Sequence, residues 1–286
     1  MLKLTRHAAK MAIILLLGGF LGATLVRLAP GLGVDEQELD SRLNHESILA
    51  LRQEHASHDS LAGFYVHYLN RLLHGDLGTS RTLQLPVRQL LAERLPETLV
   101  SVALALALGW TLGLIFAIAT VISRSWYVDL FSSSLAGVLL CLPAAVLALL
   151  FVIARAPGRL VLGLIVFPKV FRYAHNLLER TASLPHVLTA RAKGLGWFRI
   201  LLWHILPVAA PQLVALAGVS VSLAFAAAIP VEVLCDLPGI GQLAWKAAMG
   251  RDLELLVNLI LLVMMVTLLA NSASELAGIS PREGEA

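Results

Sequence analysis

The residues best placed to do chemistry in this 286-residue chain are basic. They lie in Leu188-Thr189-Ala190-Arg191-Ala192-Lys193-Gly194-Leu195-Gly196 and in the stretch from Trp197 to Pro207 that follows. Arg191, Lys193, Arg199 and His204 stand together between hydrophobic runs long enough to cross a bilayer. Their chemistry is charge-assisted hydrogen bonding to a partner rather than bond making. Two readings of such a loop stand: a cytoplasmic segment that only fixes orientation, or a docking surface for a soluble protein. Elsewhere there is no HExxH, no Gly-x-Ser-x-Gly and no GxxxxGK[ST] phosphate loop, so the chain is expected to be no enzyme and to hydrolyse no nucleotide itself. The apolar runs lack the paired carboxylates or the ladder of charges that a proton relay or voltage sensor needs.

Histidines 45, 55, 58, 67 and 74 invite a metal reading. His55 and His58 share a helical face, but no acidic or cysteine partner completes a ligand set, and no metal is expected. Cys141 and Cys235 are far apart, show no metal spacing and read as two small buried-type side chains without a disulfide.

The elements that must position these residues are membrane spans. Hydrophobic residues make up 58% of the chain and charged residues 14%, against about 25% charged in a soluble domain. The net charge of +3 is too small to argue for nucleic acid. After the basic Lys3, Arg6 and Lys10, Met11–Ala29 is apolar and about 28 Å long as a helix, close to the ~30 Å hydrocarbon core. It reads as an uncleaved first span rather than a signal peptide, whose apolar region is shorter. Residues 30–95 form a polar outer segment. Within it Leu61, Phe64, Tyr65, Tyr68, Leu69 and Leu72 have the spacing of an amphipathic helix. Gly75-Asp76-Leu77-Gly78-Thr79-Ser80 closes the segment as a turn, its glycines flanking an Asx-type acceptor.

Arg94-Leu95-Pro96-Glu97-Thr98 is expected to start the second span, with proline and an acid where a first turn tolerates them. Thr98–Ile122 is uncharged, Ser123–Trp126 is a tight connection, and Leu130–Ala154 is a third span kinked at Pro143. Arg155-Ala156-Pro157-Gly158-Arg159 returns the chain. Leu160–Leu178 is the weakest span, interrupted by Pro168, Lys169, Arg172 and His175. Its two cations are expected towards the cytoplasmic end, snorkelling or facing protein. Pro211–Pro230, an outer segment Val231–Glu254 and a last span Leu255–Ala273 follow, then a short polar tail. Lys3, Arg6, Lys10, Arg124, Arg180, Arg191, Lys193, Arg199 and Arg282 count as cytoplasmic. Arg155, Arg159, Lys246 and Arg251 count as outer, and nine against four supports six spans with both ends inside.

Gly194, nine intervening residues, then His204-Ile205-Leu206-Pro207 and Pro211 resemble the cytoplasmic loop of ABC importer permeases. Thr189–Leu195 is similar to the variant found in the dipeptide/oligopeptide/nickel permease family. Gly75–Ser80 and Arg94–Leu99 resemble the first outer segment and second span of its B-type subunit. Glu232, Pro238-Gly239-Ile240-Gly241 and Arg251-Asp252 resemble its last outer loop. The resemblance implies an all-α membrane protein of the bacterial inner membrane: a type I ABC importer transmembrane domain of six transmembrane helices. Its parts would be residues 1–29 as cytoplasmic end and first span, 30–95 outside, a permease core 96–277 containing a coupling loop 181–207, and a tail 278–286.

The resemblance further implies a permease subunit that imports peptides or a related small solute. It would work with a second, homologous permease, two ABC ATPase subunits carrying ATP and Mg2+, and an extracytoplasmic solute-binding protein. Thr189, Ala190, Arg191, Ala192, Lys193, Gly194, Leu195, His204 and Pro207 would couple it to the ATPases. Gly75, Asp76, Gly78, Glu232, Pro238, Gly239, Gly241 and Asp252 would lie on the outer-gate and binding-protein side. For Glu232, a solvated helix end is the alternative to a gate. In the loop, Pro185 suits a first helical turn, Ser183 or Thr181 offers a cap, and Ala190 and Ala192 make a thin surface. Gly194 supplies a left-handed terminus, and a second short helix over Trp197–Ile205 would leave at an angle before Pro207.

The sequence departs from the family at Pro185-His186, Val208 and Cys235 and in its short Arg155–Arg159 connection. These departures bear on the substrate rather than on coupling. A Sap-like antimicrobial-peptide or polyamine role and nickel uptake are the alternatives within the family. A channel or secondary transporter working without ATPases is the alternative outside it.

Overall fold

The computed structural model describes residues 11–22, 24, 65, 68–72 and 74–279. The histidines 45, 55, 58 and 67, the basic end 1–10, the segment 30–64 and the tail from 280 lie outside the described residues. Among the described residues the chain is helical, and its one extended pairing is an isolated bridge between Thr79 and Pro86. In order the helices are α1 (Met11–Gly22), α2 (Val87–Ser123), α3 (Trp126–Cys141), α4 (Ala144–Ile153) and α5 (Arg159–Ala182). Then come α6 (Pro185–Ala192), α7 (Trp197–Leu234), α8 (Ile240–Met249) and α9 (Leu253–Ile279). By length and composition α2, α7 and Leu253–Ser274 of α9 suffice to cross a membrane, and α3 with α4 makes a fourth as a broken pair. α1 is a shorter apolar helix. α5 is long enough, but Lys169, Arg172, His175 and Asn176 dilute its apolar character.

Several boundaries differ from the sequence-based expectation, each for a local reason. α2 begins at Val87, not near Arg94, because Pro86 supplies the N-terminal proline and its carbonyl accepts from the Gln89 and Leu90 N–H groups. Pro96 lies inside the helix. At Pro143 the chain breaks rather than kinks, with 97° between α3 and α4. Leu142, the residue before the proline, is extended at ψ 122, as the clash with the proline ring requires. The second short helix over Trp197–Ile205 does not end before Pro207. It continues into α7 through a π-helical turn at Leu201–Ile205. Pro207 has no N–H and its ring crowds the carbonyl of Trp203; a widened turn gives that carbonyl room.

Backbone contacts divide the chain into two compact units. One comprises Leu95–Gln242 with the chain from Val266, the other the chain up to Arg94 with Leu243–Met265. In the first, α5 is central and packs on α3, α4, α6 and α7. Its Phe167, Phe171, Leu177 and Leu178 build the core with Val187, Ala190, Ile200 and Ile205. Gly109 and Gly113 of α2 face Val166 and Val170 of α5 so closely that an added Cβ would lie 2.6 and 2.7 Å from a valine methyl. This is the small-residue spacing that lets two membrane helices approach. In the other unit Tyr65, Tyr68 and Val257 pack with Phe20, Leu69 and Leu72. Tyr65, Tyr68, Leu69 and Leu72 thus lie on the apolar face expected of them, whereas Leu61 and Phe64 are outside the described residues.

Candidate functional site

The basic stretch folds as α6, a tight turn and the start of α7. Pro185 occupies the first turn of α6, where its missing N–H has no helical partner to lose. Neither Ser183 nor Thr181 caps the helix: their hydroxyls donate to the carbonyls of Arg180 and Leu177, and Leu184 holds the N-cap position without a side-chain bond. The helix ends in a Schellman arrangement. Leu195 N–H donates to the Ala190 carbonyl at 3.3 Å and Gly194 N–H to that of Arg191 at 2.9 Å. Gly194 sits at φ 76, in the left-handed region.

Burial divides the site residues into two sets. Ala190 is buried in the core with Val187, so it does not contribute to a thin outer surface; its methyl packs inward on the chain's own helices. Thr189, Ala192, Lys193, Gly194 and Pro207 are exposed, and Leu195 and His204 are half-buried. Arg191 turns back onto Trp197, its guanidinium carbon 4.4 Å from the ring centroid. Arg124 approaches the same ring at 6.0 Å. Burial, and then the like charge of Arg124, hold the Arg191 guanidinium below its usual range. Arg191 Nε and Nη2, Trp197 Nε1 and His204 Nδ1 are buried without a hydrogen-bond partner among the described residues. The other nitrogen of the histidine pair at this turn is engaged: His186 Nε2 lies 3.1 Å from the His204 carbonyl and ties α6 to α7. Around this turn Leu188, Phe198 and Trp203 stand 53%, 71% and 74% exposed. Trp197, Phe198 and Trp203 put three aromatic rings within seven positions, a signal present in the sequence beside the charges.

Glu232 is buried, 1% exposed, so the solvated-helix-end alternative is corrected. Thr98 Oγ1 donates to its Oε1 at 2.7 Å and Gly241 N–H to its Oε2 at 2.7 Å. The Gln242 N–H adds a further bond to the same carboxylate. Ile240 N–H in turn donates to Thr98 Oγ1 at 2.8 Å. The first-turn N–H groups of α8 have no helical acceptor, and the Glu232–Thr98 pair takes them. An added Cβ at Gly239 would fall on the Glu232 carboxylate, and one at Gly241 would lie 2.6 Å from the Ile229 Cα. Pro238 is exposed at the turn before them. Thr98 was legible only as part of the span start, and its bond to a residue 134 positions away has no sequence signal.

The remaining site residues belong to the other unit. Gly75 and Gly78 have φ 78 and 76, and Gly78 N–H donates to Asp76 Oδ1 at 2.9 Å, the Asx turn expected. Arg71 Nε donates to Asp76 Oδ2 at 2.9 Å. That bond, then the Gly78 N–H, holds the Asp76 carboxyl below the usual carboxylate range. Asp252, fully buried, caps α9 through the Leu255 N–H at 3.1 Å and receives Ser80 Oγ at 2.5 Å and Thr82 N–H at 3.1 Å.

Cys141 is exposed and Cys235 half-buried, so the buried-type reading fails for Cys141, whose position on α3 faces away from the core. Burial pushes the Cys235 thiol up. Of the two arginines in the short connection, Arg159 is matched, its Nη2 2.5 Å from Glu97 Oε2. Lys169 and Arg172 do not lie towards an end of their helix; they stand near its middle. Among the described residues no group of three or more His, Cys, Asp or Glu side chains could hold a metal ion.

Residues 83–277 match the family of binding-protein-dependent transport system inner membrane components. A probable peptide ABC transporter permease of Sinorhizobium fredii is 24% identical over 302 aligned positions, covering 96% of this chain and 95% of the relative. The oligopeptide transport system permease protein OppB of Escherichia coli is 27% identical, with 84% of each chain covered. Among solved structures, inward-facing MetNI methionine ABC transporter matches with a TM-score of 0.60 at 18% identity, over 68% of this chain and 96% of the other. That likeness is one of fold.

Proposed function

The chain belongs to the family of binding-protein-dependent transport system inner membrane components, and from that premise we propose that it carries peptides or a related small solute across the membrane. In this reading it pairs with a second, homologous permease, two ABC ATPase subunits that bind ATP and Mg2+, and an extracytoplasmic solute-binding protein. Peptide cargo is supported by the relatives in Sinorhizobium fredii and Escherichia coli, which are named as peptide and oligopeptide permeases. Six spans with both ends in the cytoplasm remain part of the proposal. α1, the broken α3–α4 pair and α5 complete the set begun by α2, α7 and α9.

The observation that carries the coupling role is the turn from α6 into α7. It presents Leu188, Phe198 and Trp203 to solvent beside Lys193 and Arg199. Exposed apolar side chains gathered with cations mark a protein-docking surface. Arg191, stacked on the Trp197 ring, braces that surface from beneath. Ala190 serves from the inside: it roots α6 in the core that includes α5 and α7, so a push on α6 is passed to the spans. ATP-driven closure of the ATPases moves this element and rocks the helices between inward- and outward-open states. At the other end of α7, Glu232 with Gly239 and Gly241 holds the outer gate. Gly75, Asp76, Gly78, Pro238 and Asp252 are assigned to the binding-protein side.

Gly194→Trp tests the reading. An added Cβ at Gly194 has nothing within 4 Å. The left-handed backbone costs a non-glycine residue about 1–2 kcal/mol, and the docking surface is blocked. The expected outcome is loss of transport, with ATP hydrolysis no longer responding to the binding protein. Coupled transport at the wild-type rate sinks the proposal.

A further inference from the structure

Most of α5 is buried, including Phe167, Val170, Phe171 and Ala174. Its open side carries a stripe that runs from Lys169, Arg172, Tyr173 and Asn176 on to Glu179 and Arg180 near the C-terminal end, and the first four line a groove. Their i, i+3, i+4, i+7 spacing puts all four on the same face. With Ser220 of α7 and Leu140 of α3 they line an open groove of about 410 Å³, within the roughly 300–1,000 Å³ of small-molecule sites. At ~1.5 Å per residue each cation stands at least about 15 Å from the nearer end of α5. Among the described residues neither makes an ion pair, and no acidic side chain lines the groove.

In the six-span reading α5 is a span, two unpaired cations at its middle are costly to expose to lipid, and a lipid phosphate lies at the interface rather than at that depth. On this chain alone their face meets water or an anion. We infer that this groove receives the carboxylate of the cargo, in a short peptide its C-terminal carboxylate. Lys169 and Arg172 are the counter-charges, and Tyr173 and Asn176 supply further donors. The apolar wall of Leu140, Leu216 and Val219 accommodates side chains without selecting among them. This rests on the peptide reading above and adds that the membrane subunit itself reads the peptide's charged end.

The test uses the whole transporter in proteoliposomes with two probes, trialanine and its C-terminal amide. Uptake of each is measured for the wild type, K169Q/R172Q and the charge-preserving K169R/R172K. Loss of the paired charges is expected to lower trialanine uptake about tenfold, the scale of one charge-assisted hydrogen bond. Amide uptake stays unchanged or rises, and K169R/R172K, which keeps both charges, retains more trialanine uptake than K169Q/R172Q. The binding protein's own preference cancels when the two peptides' ratios are compared. Equal loss for both peptides, or none, overturns the inference. Failure of the wild type to take up either peptide overturns the peptide reading instead.

A second readout needs no substitution. Trialanine, and not its amide, should protect the Lys169 amine from a water-soluble acylating reagent in the wild-type complex. Equal protection by both probes, or by neither, overturns the assignment.

Discussion

Glu232 shows at the residue scale how a carboxyl group is kept in an apolar setting. Its carboxylate accepts from a hydroxyl and from backbone N–H groups at the start of α8, so both oxygens are satisfied without a cation. Removing it strands Thr98 and the freed N–H groups in a buried site. Leaving buried donors unsatisfied costs about 1–3 kcal/mol. Glu232→Ala is therefore expected to lower the unfolding midpoint in detergent clearly, and Glu232→Gln much less, since the amide oxygen still accepts. Equal midpoints for the two variants would show that the hydrogen-bond cluster is not what Glu232 contributes. The motif around Glu232 was readable because Pro238, Gly239 and Gly241 have unusual types at fixed spacing. Its partner Thr98 was not, because a threonine at the start of a span is unremarkable until the fold closes the loop.

At the element scale the helices are held by small residues and by proline. Gly109 and Gly113 let α2 approach α5 until the backbone nitrogen of Phe171 lies 3.0 Å from where a Gly113 Cβ would stand. A leucine there must force the helices apart. Overpacking of this kind costs about 1–3 kcal/mol, and Gly113→Leu is expected to show it as a lowered midpoint and weaker assembly. Gly137, on α3, has nothing within 4 Å of an added Cβ, and Gly137→Ala should stabilise by about 0.5–1 kcal/mol through helix propensity alone. The reverse order of the two effects would contradict the packing described. Sequence periodicity placed these helices but not their ends. Pro143 was readable as a disturbance, while the 97° break depended on how far the flanking helices were drawn to separate partners.

At the scale of the whole molecule the open question is how the spans thread the membrane. The described residues include three helices that suffice alone and a broken pair that makes a fourth. The six-span arrangement adds α1 and α5. With Cys141 and Cys235 replaced, single cysteines at Arg124 and Lys193 are expected to react with an impermeant reagent from one side of intact vesicles, and one at Arg155 from the other. Labelling of Arg155→Cys and Lys193→Cys from the same side would rule that threading out. Arg159, counted among the outer cations, pairs with Glu97; the positive-inside rule counts Lys and Arg rather than net charge, so the nine-to-four balance stands as it was.

The sequence by itself determined that the chain lives in a membrane, because uncharged runs of span length have no other stable solvent. It also determined where α6 stops, because a proline opening a turn and a glycine closing one act through their own backbones. These are local effects, and local effects are written in neighbouring residues. Only the tertiary structure decided which side chains of the basic stretch face inward. Arg191 folds back on Trp197 and Ala190 joins the core, while Lys193, Phe198 and Trp203 face out. Only the fold, too, buried Glu232 against Thr98 and left Lys169 and Arg172 on an open face of α5. Burial is set by which helices meet, and the residues that meet are often more than a hundred positions apart.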